Sequence, residues 1–201
     1  MDCVMLSLKS LREESLKLAK TIEKDYTPDI VIYIARGGYL IGKEISDYFN
    51  VPCVGIHAER RGGGVKEIIS PVLRIIPLFI RRMLREFELK SNVHKVEKKR
   101  NIFWDQKNLS IVKNNGKIKN ILLVDDSVDT GYSMLQVKDK IYGDLGAVVI
   151  RTAAINVWSK SAKVCETNYC NYKNFIIMTP MSKDSKEYPE FEKLYNNRKI
   201  L

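Results

Sequence analysis

The sequence has few residues of the kinds that build metal sites or disulfide frameworks. Its 201 residues include only two histidines and four cysteines, the latter at positions 3, 53, 165 and 170. No two cysteines form a Cys-x-x-Cys pair, and His57 and His94 lie far from Cys165 and Cys170 in the sequence. Such a set is poor for zinc. We therefore expect no structural metal, and reduced cysteines in an intracellular protein.

Long apolar runs are missing as well. No stretch of about 18 apolar residues occurs, so no transmembrane helix is predicted. Residues 1–20 mix polar and apolar side chains, so no secretory signal is expected there. Acidic residues are outnumbered, which gives a formal net charge of +10. This excess suits an anionic partner, whether a phosphorylated small molecule, a nucleic acid or an acidic membrane. Together these features favour a cytoplasmic location.

What the sequence does contain is an alternation of apolar runs with segments of helical spacing. Apolar runs at 29–35, 51–56, 121–124, 147–154 and 175–178 predict strands, and helical spacing predicts helices near 5–25, 39–49, 132–142 and 188–195. This alternation is typical of an α/β fold in three layers, α/β/α, with a mostly parallel central sheet. We interpret residues 1–201 as a single domain with a long insertion or flexible loop at about 57–118.

In such sheets, ligands bind beyond the carboxyl ends of the strands. The run at 121–124 is followed by the adjacent acids Asp125 and Asp126 and by Asp129. A predicted helix then begins, and its free N–H groups suit a phosphate. Carboxylates suit the hydroxyl groups of a ribose instead. The segment therefore predicts a sugar-phosphate site, although Asp126 and Asp129 would also serve as plain helix caps. The residues that would face the phosphate are Thr130, Gly131 and Ser133.

The strand at 29–35 leads into the second candidate turn, Arg36-Gly37-Gly38. Consecutive glycines permit backbone conformations closed to other residues, and a guanidinium suits phosphate oxygens. Residues 37–43 also fit the first seven places of a P-loop. The next place should be Ser or Thr to hold magnesium, but it is Glu44, which would repel a phosphate. We therefore do not favour a nucleoside triphosphatase.

Together, the two turns resemble those of the type I phosphoribosyltransferases. Residues 124–133 are similar to that family's signature for phosphoribosyl pyrophosphate (PRPP), with Ser133 where Thr is usual, and residues 32–42 are similar to its pyrophosphate loop. Asp129 favours the 6-oxopurine branch, whose motif is acid-acid-x-x-Asp-Thr-Gly. Residues 151–155 and 174–180 also resemble this branch. The resemblance implies a small hood built from the terminal segments.

The activity implied is a Mg²⁺-dependent transfer of the 5-phosphoribosyl group from PRPP to a nitrogen of a purine base, with release of pyrophosphate, as in purine salvage. Asp129 would be the general acid/base. Phe175 would stack on the base, and the main chain of Ile176 would bind its edge. Arg36, Gly37 and Gly38 would bind the pyrophosphate of PRPP, and Thr130, Gly131 and Ser133 would bind its 5-phosphate. Asp125 and Asp126 would bind the ribose, and would hold magnesium directly or only through water or the ribose hydroxyls.

The sequence departs from the 6-oxopurine branch after the fourth predicted strand. The branch usually has a lysine there, which holds the 6-oxo group, whereas this sequence has Asn156-Val157-Trp158, with Lys160 slightly later. Met181 also stands where the branch often has an aromatic residue. A transferase with a non-purine acceptor and a non-catalytic PRPP-binding regulator are therefore the alternatives.

The segment 57–118 would close over the reaction, with Arg60 and Arg61 beside three glycines as candidates for its mobile tip. Residues 72–89 are basic and amphipathic. They would pack on a partner subunit, pack within the chain, or lie on a membrane surface, the last being the least favoured. We expect a homodimer or higher homo-oligomer, with PRPP and a nitrogenous base as ligands and no nucleic-acid partner.

Overall fold

The computed structural model describes residues 2–60, 99–104, 111–112 and 118–198. The strands are β1 (Cys3–Met5), β2 (Ile30–Ala35), β3 (Cys53–Arg60), β4 (Arg100–Trp104), β5 (Asn120–Val128), β6 (Val149–Val157), β7 (Tyr169–Lys173) and β8 (Ile176–Met178). The helices are α1 (Leu8–Ile22), α2 (Tyr39–Phe49), α3 (Tyr132–Leu145) and α4 (Tyr188–Asn196), and a 3-10 helix spans Ser159–Lys163.

Six of these strands form the central sheet, in the order β4-β3-β2-β5-β6-β7. All neighbours are parallel except β4, which runs antiparallel to β3 at the edge. The central strand β2 is buried along nearly its whole length, as expected for a parallel strand covered on both faces. This confirms the predicted α/β fold with a mostly parallel sheet.

Helices cover both faces of the sheet, and alternate residues of each strand point to opposite faces. On one face, Val31 and Tyr33 of β2 belong to a core shared with α1, α2 and α4. On the other face, Ile30, Ile32 and Ile34 belong to a core shared with α3. The molecule therefore has the three predicted layers.

The segment predicted as a strand at 175–178 is β8, but it does not join the central sheet. It pairs in parallel with β1, so that Cys3 is opposite Ile176 and Met5 is opposite Met178. The edge of the central sheet is formed instead by β7, which the apolar pattern did not predict. The small β1–β8 sheet is therefore made from the two terminal segments, and Val4 and Ile177 pack against the same core as α4.

Two parts of the segment 57–118 belong to the sheet. Strand β3 continues to Arg60, and β4 returns antiparallel to it, with His57 opposite Phe103 and Arg60 opposite Arg100. The predicted loop-tip residue Arg61 and the basic segment 72–89 lie outside the described residues, as does the side chain of Arg60. In the part of the chain that is described, no helix is long and apolar enough to cross a membrane.

Candidate functional site

The two turns predicted to carry the chemistry lie side by side. Strands β2 and β5 are neighbours in the sheet and run parallel, so their carboxyl ends meet at one edge. The turns touch so closely that only glycine fits. A Cβ atom on Gly37 would lie 2.8 Å from Cγ of Asp126, and one on Gly38 would lie 2.6 Å from the main-chain oxygen of Val124. The peptide bond between Ala35 and Arg36, at the start of this turn, is cis.

The acidic side chains at the end of β5 are oriented by hydrogen bonds from within the same turn. The main-chain N–H of Asp126 donates to Oδ1 of Asp125 at 2.9 Å, and that of Ser127 donates to Oδ1 of Asp126 at 2.7 Å. The Ser127 hydroxyl donates to Oδ1 of Asp129 at 3.2 Å. These hydrogen bonds give each of the three carboxylates a defined direction.

The environment of Asp125 disfavours its negative charge. Burial, followed by the adjacent charge of Asp126, raises the pKa of Asp125 well above its usual range. Two acids side by side at a strand end are costly for the protein alone. Ligands that donate hydrogen bonds, or cations, would lower this cost. The ribose hydroxyl groups or metal ion predicted at these residues are ligands of these two kinds, and their binding here stays a prediction.

The turn predicted to face the phosphate depends on Gly131, the N-cap of α3. Its φ is 84°, in the left-handed region that favours glycine. A Cβ atom at this position would lie 2.9 Å from the main-chain oxygen of Ser161, because the 3-10 helix packs behind the turn. Glycine has no side chain with which to cap the helix, so the first N–H groups of α3 are left for an anion. The flanking Thr130 and Ser133 are partly buried.

The side chain of Arg36 lies against the C-terminal helix α4. Its Nη2 donates to Oε1 of Glu192 at 3.3 Å, and its guanidinium carbon lies 4.9 Å from the centre of the Tyr195 ring. Both members of the ion pair are more than a third exposed, so the pair contributes little to stability. The guanidinium of Arg36, which was predicted to bind pyrophosphate, is thus paired with the carboxylate of Glu192.

The residues predicted to bind the base lie at the start of β8. Phe175 is partly buried, with the ring of Tyr172 at 5.4 Å, and Ile176 is buried. The main chain of Phe175 is held by Asn156 of β6. Nδ2 of Asn156 donates to the Phe175 oxygen at 3.0 Å, and the Phe175 N–H donates to Oδ1 of Asn156 at 3.3 Å. Sequence reasoning missed this role. The available signal was a polar residue inside an apolar strand, between Ile155 and Val157.

The other basic residue considered for this place, Lys160, lies in the 3-10 helix. Its Nζ is 5.9 Å from the centre of the Trp158 ring. In the rival P-loop interpretation, Lys43 would cradle a phosphate, but it lies within α2 and pairs with Asp47, while Glu44 pairs with Arg12. The geometry therefore gives no support to a P-loop.

The acids of the site could hold a divalent cation together with groups of a bound ligand. Among the described residues, no group of three or more His, Cys, Asp or Glu side chains is placed to hold a metal ion. Asp125 and Asp126 supply carboxylate oxygens, the type of ligand that Mg²⁺ prefers, and Mg²⁺ commonly takes its remaining ligands from phosphates and water. The residues thus fit a magnesium ion that arrives with a phosphorylated substrate.

The match to a protein family covers most of the chain. Residues 7–186 match the model of the phosphoribosyl transferase domain family, and the chain belongs to that family. No curated protein sequence matches it. Family membership, with the paired turns described above, supports transfer of a phosphoribosyl group from PRPP.

Solved structures show the same fold. Purine phosphoribosyltransferase from Pyrococcus horikoshii is 20% identical, with a TM-score of 0.56, and the match covers 90% of this chain and 93% of that one. Xanthine-guanine-hypoxanthine phosphoribosyltransferase from Helicobacter pylori is 15% identical, with a TM-score of 0.59 and coverages of 94% and 99%. A hypothetical protein from Neisseria gonorrhoeae with bound ppGpp is 12% identical, with a TM-score of 0.59 and coverages of 97% and 96%.

Proposed function

We propose that the protein transfers the 5-phosphoribosyl group of PRPP to a ring nitrogen of a purine base, releasing pyrophosphate. One observation carries the proposal. The turn that contains Asp125, Asp126 and Asp129 ends at the glycine N-cap of α3 and lies directly against the Gly37–Gly38 turn. This juxtaposition offers, within one edge of the sheet, groups for a pyrophosphate, a ribose and a phosphate. Those are the three parts of PRPP.

Each part of PRPP would meet chemically suitable groups. The N-terminus of α3, with Thr130 and Ser133, would bind the 5-phosphate. Asp125 and Asp126 would accept hydrogen bonds from the ribose hydroxyls, and the main chain at 37–38 would approach the pyrophosphate. Arg36 would add its charge after leaving Glu192, because pyrophosphate carries more charge than a single carboxylate.

The reaction breaks the bond between C1 of the ribose and the pyrophosphate oxygen and forms a bond from C1 to the acceptor nitrogen. Positive charge develops on the ribose as the leaving group departs. The carboxylates of Asp125 and Asp126, fixed in advance by the hydrogen bonds described above, would stabilise this charge without rearrangement. Asp129 would take the proton that the acceptor ring loses.

Magnesium belongs to this proposal through Asp125 and Asp126. When bound with PRPP, the ion would offset the charge of the departing pyrophosphate. The two carboxylates would hold it directly or through the ribose hydroxyls and water. Chelation with EDTA should therefore abolish turnover, and added Mg²⁺ should restore it.

The purine acceptor is supported by Phe175 and Asp129, and by the resemblance in fold to proteins whose names describe purine transferases. In this proposal the Phe175 ring stacks on the base, and the main chain of Ile176 binds its edge. The absence of the expected lysine near 156–158 favours a second candidate, a transferase with a non-purine acceptor. A non-catalytic regulator that binds PRPP is the third.

A pyrophosphate-release assay distinguishes the three. Purified protein is mixed with PRPP, Mg²⁺ and, one at a time, 6-oxopurine, 6-aminopurine and pyrimidine bases. We expect turnover with at least one 6-oxopurine. Turnover with other heterocycles only would support the second candidate. PRPP binding without turnover on any base would support the regulator.

Oligomeric state, location and the role of residues 72–89 remain predictions. Light scattering coupled to size exclusion would test the expected homodimer. Sedimentation with vesicles of anionic phospholipid would test the membrane alternative for 72–89, which we do not favour. Retention in the soluble fraction of a cell lysate would be consistent with the cytoplasmic location.

A further inference from the structure

A chain of polar contacts joins the base-binding segment to the acidic turn. It begins at the main chain of Phe175, passes through the side chain of Asn156 to the Ser127 hydroxyl, and ends at Asp129. Ser127 lies on β5 and Asn156 on β6, whereas Asp129 follows β5 and Phe175 precedes β8. The sequence motifs assigned no function to Asn156 or Ser127.

Asn156 is the centre of this chain. It lies on β6 with 1% of its surface exposed, and the register of the sheet places it opposite Ser127 of β5. Both polar atoms of its amide are engaged by Phe175, since Nδ2 donates to the main-chain oxygen and Oδ1 accepts from the main-chain N–H. The Asn156 amide therefore fixes the main chain of Phe175.

The same amide sets the direction of the next hydrogen bond. Oδ1 of Asn156 accepts from an N–H group, so Nδ2 must be the donor that faces Ser127, 3.5 Å from its Oγ. A hydroxyl that accepts one hydrogen bond can still donate its own proton elsewhere. That proton points to Oδ1 of Asp129, 3.2 Å away. This hydrogen bond holds the Asp129 carboxylate through its Oδ1.

We propose that Asn156 and Ser127 are positioning residues that hold the base-stacking segment and Asp129 in a fixed mutual arrangement. The inference rests on the proposed function, because it gives these two residues a role in aligning the acceptor base with the group that takes its proton. The proposal also gives a role to Asn156, which stands where the 6-oxopurine branch usually has a lysine. The Asn156 amide is directed at the protein's own main chain, so other groups would recognise the acceptor.

Kinetics on variants provide the first test. Asn156→Ala should raise KM for the base about tenfold, because two hydrogen bonds to the Phe175 main chain are lost, and should leave KM for PRPP within about twofold. Ser127→Ala should lower kcat with less effect on either KM, and Ser127→Thr should restore kcat because it keeps the hydroxyl. In the double variant, the effects on kcat/KM for the base should be less than multiplicative, since both residues belong to one chain of contacts.

Asn171→Ala is the matched control. It also removes an amide that joins two elements, since Nδ2 of Asn171 donates to the main-chain oxygen of Glu14 at 2.8 Å, but it lies on β7 outside this chain of contacts. It should alter thermal stability without changing the two KM values relative to each other. Equal changes in KM for base and PRPP in Asn156→Ala, or a selective base effect in Asn171→Ala, would overturn the proposal.

Hydrogen exchange tests the positioning without relying on turnover. The amide of Phe175 should be protected in the wild-type protein and should exchange faster in Asn156→Ala, while the amides of β5 keep their protection. If no base is turned over, the proposed function fails, but this measurement still decides whether Asn156 holds the segment. Unchanged exchange at Phe175 would reject the positioning role even in an active enzyme.

Discussion

Three glycines, one within α3 and one at each end of it, allow the energetic cost of the turn at Gly131 to be separated into its parts. Gly131 at the start of α3 has a positive φ and a crowded Cβ position, 2.9 Å from the Ser161 oxygen. Gly146 at the end has a positive φ of 75° but open space around it. Gly143, within the helix, has neither constraint. Alanine at 143 therefore tests helix propensity alone, alanine at 146 tests backbone strain, and alanine at 131 tests strain and crowding together.

The expected magnitudes differ in sign and size. Gly143→Ala should stabilise the protein by about 0.5–1 kcal/mol, because alanine is the better helix former. Gly146→Ala should destabilise it by about 1–3 kcal/mol through backbone strain alone. Gly131→Ala should cost about 1–2 kcal/mol for the left-handed conformation and about 1–3 kcal/mol more for overlap with the 3-10 helix.

The assay is thermal unfolding with and without PRPP. At about 2–4 °C per kcal/mol for a chain of this size, Gly131→Ala should lower Tm by roughly 5–15 °C. PRPP should raise Tm of the Gly143→Ala and Gly146→Ala proteins as it does for wild type, but not that of Gly131→Ala, whose displaced turn no longer matches the phosphate. A cost of Gly131→Ala no larger than the roughly 1–2 kcal/mol of its left-handed backbone would refute the crowding argument. PRPP protection of Gly131→Ala would refute the assignment of the phosphate turn.

Three further predictions concern the charged groups of the site. Asp125→Asn should raise the free energy of unfolding at pH 7–8 and weaken PRPP binding. Because the fold raises the pKa of Asp125, the wild-type protein loses stability as pH rises from the unfolded pKa through the folded one. Urea titrations should therefore show that the stability gain of the variant vanishes below about pH 4. Glu192→Gln should free Arg36 and tighten pyrophosphate binding about two- to fivefold in calorimetry, with Tm nearly unchanged because the pair is exposed; weaker binding would contradict the idea that Glu192 competes for Arg36. Asp129→Asn should lower kcat about 100-fold or more with PRPP affinity nearly constant, and unchanged turnover would remove Asp129 from the chemistry.

Much of the fold could be predicted because local signals agree with the tertiary structure. Helix α2 begins and ends at the predicted residues, since Gly37 and Gly38 precede it and Asn50, in a left-handed conformation with φ 54°, ends it. The buried parallel strands could be predicted because each contains a run of apolar residues. Strand β5 runs four residues past its apolar run, through Asp125 and Asp126, because main-chain pairing with β6 continues there whatever the side chains are.

The rest depends on contacts that local patterns do not encode. Strand β7 has the sequence Tyr-Cys-Asn-Tyr-Lys and lies at the sheet edge, where only partial burial is required, so no apolar run marks it. Strand β8 was predicted, but its pairing with β1 joins residues at opposite ends of the described chain. The contact of Arg36 with Glu192 and the bonds of Asn156 to Phe175 likewise bring together residues that are distant in sequence.

The pairing of β1 with β8 has a consequence for the order in which the site is assembled. The turns at 36–38 and 125–131 lie on strands whose pairing partners in the parallel sheet, β3 and β6, all precede residue 158. The small sheet beside Phe175, by contrast, needs residues 176–178 to meet residues 3–5. During synthesis, β1 must therefore wait for nearly the whole chain before it finds its partner. Closing so long a loop is entropically costly and slow. The half of the site that would hold the sugar phosphate can thus form first, and the half that would hold the acceptor forms last.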